Sequence, residues 1–146
     1  MVNYMDTMFE KESVRHYISL LQENINRMAS NCTNCKTWLI TIVSALCALQ
    51  LANDAIRGYL WIALIPTVLF LALDAYYLGQ EKRFRDIEAS FVEKVKLGED
   101  VLPELYTFRL SGEHFFGYFW KGLQSPSTWV MYATVAAIII LIINVL

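Results

Sequence analysis

An all-α integral membrane protein is the fold class this sequence predicts, and three observations predict it. Of the 146 residues, 56% are hydrophobic and 18% charged, and the mean hydropathy is +0.38, which is more apolar than an ordinary water-soluble domain. Three charge-poor segments approach the roughly 20 residues needed to cross a bilayer core about 30 Å thick. Before and through the first of them, apolar residues recur in alternating steps of four and three, the period of a helix that buries one stripe.

The stripe runs through Val14, Ile18, Leu21, Ile25, Met28, Cys32, Cys35, Leu39, Ile42, Leu46 and Leu49, and no proline or glycine interrupts Glu10 to Gly58. Ser13 to Leu51 therefore reads as one helix, about 57 Å long at 1.5 Å per residue. Residues 1–36 form its cytoplasmic part, and the first span enters the bilayer at Thr37 past Lys36 and ends near Ala52. Such a stripe has two settings: an oligomer seam built on Val14, Ile18, Leu21, Ile25, Met28, Cys32, Cys35 and Leu39, or a seam against the chain's own second arm. Asn24, Asn26, Asn31 and Asn34 flank it, and amides at a helix interface can fix register.

Cys32 and Cys35 form a C-x-x-C pair. Thioredoxin-type chemistry places that pair at the start of a helix in a strand–helix–strand unit, and zinc usually needs a second ligand pair. Neither context is present in the sequence, and His16 and His114 make no spaced pair. Both cysteines sit in seats of the apolar stripe, where a free thiol behaves as a small hydrophobe. Packing is the expected role, with no metal and no cofactor.

The link Asn53–Gly58 is short and polar and ends in glycine, so spans one and two form an antiparallel hairpin, with residues 37–79 as its membrane part. The second span, Tyr59 to Gly79, carries Pro66, which removes a backbone donor and is expected to kink the helix. It also carries Asp74, an ionisable group that is costly inside a span and normally faces a partner or water. Folding about residue 55 brings Asp74 level with Lys36, its expected partner, and the same register sets Glu81 near Arg27. Asp74, Tyr77, Glu81 and Arg85 recur at helical spacing and share a face. Two readings stay open for these residues: a helix end with belt aromatics and snorkelling cations, or an ion gate.

Residues 80–127 form an insert before the third span, residues 128–146. From Glu81 to Leu97 the insert presents Phe84, Ile87, Phe91 and Val95 on one face, and Gly98 is positioned as a C-cap. The run HFFGYFWKGLQSPST is unusually aromatic and suits a membrane interface or a partner surface. Ser125 and Pro126 have the form of an N-cap and first helical residue opening the third span, Trp129 to Leu146.

Positive charge sets the expected orientation. Four cations precede the first span, seven lie between the second and third, and Arg57 alone occupies the hairpin turn. The positive-inside rule then puts the N-terminus and the insert in the cytoplasm and the C-terminus on the far side. The polar first 36 residues contain no apolar core of a cleavable leader.

The sequence has no glycine-rich phosphate loop, no H-E-x-x-H and no serine nucleophile elbow, so no enzyme is expected. Nor does it carry a basic, aromatic-interleaved surface for direct nucleic-acid binding. INRMASNCTNCKTWLITIVSALCAL, followed after a short turn by IPTVLFLALDAYYLGQEKRFR, resembles the SLATT-type and related two-span membrane effectors of bacterial anti-phage systems, including those allied to cyclic-nucleotide signalling, retrons and CRISPR loci. The likeness covers Ile18 to Ser90. It is most specific at Asp74, Tyr76, Tyr77, Leu78, Glu81, Phe84 and Arg85, at Asn26 to Ala29, and at the Lys36/Trp38 neck. Cys32 and Cys35 depart from the serine or bulky apolar residues usual there, and the third span lies outside the two-span core.

The resemblance implies a homo-oligomer in the lipid of the bacterial inner membrane, with a periplasmic C-terminus, that depolarises or perforates that membrane when infection is sensed. The sensor would be a separate protein such as a nucleotide cyclase, reverse transcriptase or CRISPR nuclease. The alternative it implies is a non-conducting anchor or regulatory subunit of a defence enzyme such as an RNA-guided nuclease.

Overall fold

A computed structural model describes residues 2–52, 60–107 and 115–145. The described residues are helical with short connections and no strand: α1 (Val2–Ala52), a 3₁₀ turn (Leu60–Ala63), α2 (Leu64–Leu97), a second 3₁₀ turn (Leu102–Glu104), α3 (Phe115–Leu123) and α4 (Pro126–Val145). The hairpin link, Arg109 and His114 lie outside the described residues. Three helical stretches, Glu10–Gln50, Leu60–Leu97 and Pro126–Asn144, are long and apolar enough to cross a membrane.

The first helix is longer than its stripe predicts. It already runs from Val2, at 51 residues about 77 Å long, with neither proline nor glycine to end it. It also passes residue 36 without a break, as α2 passes Gly79, so the sequence boundaries at 36/37 and 79/80 mark changes of composition within continuous helices. Pro66 does not act as a mid-helix kink. It occupies the first turn of α2 just after the 3₁₀ turn, where its missing N–H removes no interior helical bond. At the other end of α2, Gly98 adopts the left-handed conformation (φ 71°). The N–H of Gly98 donates to the Val95 carbonyl and that of Glu99 to the Lys94 carbonyl, satisfying the last turn as the sequence anticipates.

Helices α1 and α2 pack along their length and form two cores. In the charged half, Tyr17, Leu21 and Ile25 meet Phe84 and Phe91, with Val101 closing the end and Val14, Ile18 and Met28 packed alongside. Tyr17 and Phe91 meet edge-on, with ring centroids 4.8 Å apart. In the apolar half, Leu39 and Val43 meet Leu60 and Ala63, and Tyr132 and Ile139 of α4 complete the cluster. The stripe is thus covered by the chain's own second arm: Leu21 and Leu39 are fully buried, and Ile25, Cys32 and Cys35 nearly so. Val14, Ile18 and Met28 are only partly buried, and Leu49 at the far end of the stripe is exposed.

Candidate functional site

The site forms where α1, α2, α3 and α4 come together, at the boundary between the apolar and charged halves of the hairpin. Asp74 of α2 is completely buried, and its Oδ2 lies 3.5 Å from Nζ of Lys36, whose side chain is 23% exposed. This is the pairing predicted from equal distance to the turn. The contact is an ion pair at the long edge of hydrogen-bond distance, and the Cys32 thiol and Thr128 hydroxyl lie beside the same carboxylate. Lys36 Nζ also donates to Ser127 Oγ at the start of α4, 3.0 Å away.

Three further groups complete the surroundings. The Cys32 thiol points at the Asp74 backbone carbonyl, 3.8 Å from sulfur to oxygen. Thr128, fully buried, donates its hydroxyl to the Gly122 carbonyl, 3.3 Å away, tying α4 to the end of α3. The Tyr132 hydroxyl donates to the Phe70 carbonyl, 3.0 Å away and one turn deeper. A buried carboxylate whose one cation is partly exposed keeps part of its desolvation cost.

The remaining sequence candidates separate from this cluster. Glu81 is held by Arg85 one helical turn along (2.8 Å), and Arg27 donates to Asn24 (2.8 Å), so the expected Arg27–Glu81 pairing is replaced by two local contacts. Both cations reach a partner on their own helix without crossing the hairpin. Tyr77 makes an edge contact with Tyr76 at 5.3 Å. Helical spacing does not give Asp74 and Arg85 the same surroundings: the first is buried and the second largely exposed. Cys32 and Cys35 are buried and free, and among the described residues no three His, Cys, Asp or Glu side chains gather as a metal set.

Sequence reasoning missed the α3 contact and the contribution of α4. Gly79 of α2 and Gly122 of α3 bring the two helices into backbone contact. A Cβ on Gly79 would lie 2.6 Å from the Tyr118 carbonyl oxygen, and one on Gly122 would lie 2.2 Å from that of Ala75. The signal was the glycine four residues beyond Ala75 on α2, which the sequence marks as the end of the second span and which acts as a close-approach site. Polar contacts fix the same docking: Lys82 Nζ donates to the Lys121 carbonyl and the Tyr118 hydroxyl to Asp86 Oδ2, each at 2.8 Å. Partial burial, together with that bond to Asp86, pushes the Tyr118 hydroxyl above its ordinary pKa. Ser127, Thr128 and Tyr132 belong to a third helix about fifty residues beyond Asp74, and no local pattern links them to it.

Fold and site define an all-helical chain with three helices long and apolar enough to cross a membrane, and with an acid–cation pair where they meet. Comparison with protein-family models, curated proteins and solved structures returns no match.

Proposed function

We propose that this chain is an oligomeric effector of the bacterial inner membrane that acts in anti-phage defence by depolarising or perforating the membrane, with its N-terminus and insert cytoplasmic and its C-terminus periplasmic. The observation that carries the reading is the Lys36–Asp74 pair. The acid is buried where three span-length helices meet, and its partly exposed cation lies 3.5 Å away. A pair of this kind can be separated by a small displacement of α4, which shares Lys36 through Ser127. The exposed apolar surface agrees with lipid as solvent: Trp38, Ile65, Val68, Leu69, Val130 and Leu141 all face outward from the three long helices. In this reading the sensing step belongs to a separate protein such as a nucleotide cyclase, reverse transcriptase or CRISPR nuclease.

The same features favour one second reading, a non-conducting anchor for a defence enzyme. The charged half of the α1–α2 hairpin is a well-packed rod with its own core and projects beyond the apolar half as a place to dock. Reconstitution into liposomes separates the two. Leakage of a trapped dye and collapse of an imposed potassium potential, both altered by Asp74→Asn, support the effector. Sealed liposomes at every protein density, with tight co-purification of a neighbouring-gene nuclease, support the anchor. The identity of adjacent genes names the sensor.

A further inference from the structure

α4 seats on α2 and the first 3₁₀ turn rather than on α1, which leaves an open groove of about 1050 Å³ between α1 and α4. Its walls are Val43, Cys47 and Ala48 on one side and Val130, Thr134 and Ile138 on the other. One end is different. There Pro126 and Ser127 line the groove, and Ser127 Oγ holds the ammonium of Lys36 at 3.0 Å. The long surface is therefore apolar, and beside its mouth stands the Lys36–Asp74 pair with the ammonium partly exposed and the carboxylate buried behind it. We infer that this groove binds one phospholipid with an anionic headgroup, its acyl chain along the channel and its phosphate against Lys36 and Ser127.

Charge selects that occupant, and an acyl chain fits along the apolar walls of the open groove. Lys36 has three N–H donors, of which one serves Ser127 and one faces the Asp74 carboxylate. Donor capacity thus remains for a phosphate oxygen, and the N-terminal end of α4, opening at Pro126, adds favourable dipole for an anion. The inference stands whether the assembly conducts or only anchors.

Native mass spectrometry of the full-length, detergent-purified protein tests it, using phosphatidylglycerol and phosphatidylcholine with identical acyl chains. One phosphatidylglycerol per protomer is expected, preferred about fivefold, the ratio that corresponds to about 1 kcal/mol for one basic residue near an anionic headgroup. Lys36→Gln should abolish the preference and Lys36→Arg restore it. Val130→Trp with Thr134→Trp, both at exposed positions, should lower occupancy by both lipids at least fivefold. Should that variant lose helicity by circular dichroism, Ser44→Phe from the opposite wall carries the same expectation. Equal binding of the two lipids by the wild-type protein would overturn the inference. So would full phosphatidylglycerol occupancy in a folded groove-filled variant, or conversion of a larger species to protomers by that variant with lipid binding unchanged, which would assign the groove to a second copy.

Discussion

Removing Lys36 should harm this protein more than removing Asp74, although the two form one pair. At 3.5 Å and an effective dielectric near 20, the pair's gross Coulomb attraction is about 5 kcal/mol, most of which is offset by desolvation of the charges. The partners are not equivalent once separated. In Asp74→Asn, the Lys36 ammonium keeps its Ser127 contact and its partial exposure and can turn toward water, so the expected loss is about 1 kcal/mol. In Lys36→Met, a fully buried carboxylate is left without its cation. It must be neutralised or draw in water, and the expected loss is about 3 kcal/mol, the scale for one buried charge deprived of its partner. The double variant should cost less than the sum, with a coupling of about 1 kcal/mol. Unfolding by SDS in mixed micelles, followed by far-ultraviolet circular dichroism, measures all four species. Strict additivity, or equal losses in the two single variants, would refute the asymmetric pairing.

Gly79→Ala or Gly122→Ala should destabilise the fold by more than about 2 kcal/mol, against the roughly 1 kcal/mol gain alanine normally brings to a helix interior, because the new Cβ overlaps a backbone carbonyl. Faster proteolysis between α2 and α4 would report the loss of α3. Leu21→Asp or Ile25→Asp should unfold the charged half of the hairpin, at a loss above about 3 kcal/mol, rather than only reduce oligomer mass, since both side chains are buried within the chain. Light scattering and circular dichroism on the same samples distinguish these outcomes. Cys32→Ala with Cys35→Ala should leave membrane activity within a fewfold of wild type and lower stability modestly, as expected for packing thiols; complete loss of activity in a folded variant would reassign them to chemistry.

The sequence by itself determined the helices. Composition and a 3.6-residue period reach along a single chain segment, and they sufficed for the first helix from Ser13 onward, the helical second arm through Phe91, the Gly98 cap and the opening of α4 at Pro126. Hairpin geometry is nearly as local, because equal residue counts from one turn set heights along two antiparallel helices, and it brought Lys36 to Asp74. That same register did not decide Arg27 and Glu81, which are long and exposed enough to take partners one helical turn away on their own helices.

Tertiary structure alone decided what covers the stripe. An apolar seam specifies that it must be buried but not by which helix, and here α2 of the same chain fills it. It also decided that Ser127, Thr128 and Tyr132 complete the acid's surroundings, and that Gly79 serves a contact with Gly122 instead of ending a helix. Those contacts join residues tens of positions apart through the path of α3 and α4, and the sequence pattern carries period but not the direction in which one helix returns upon another.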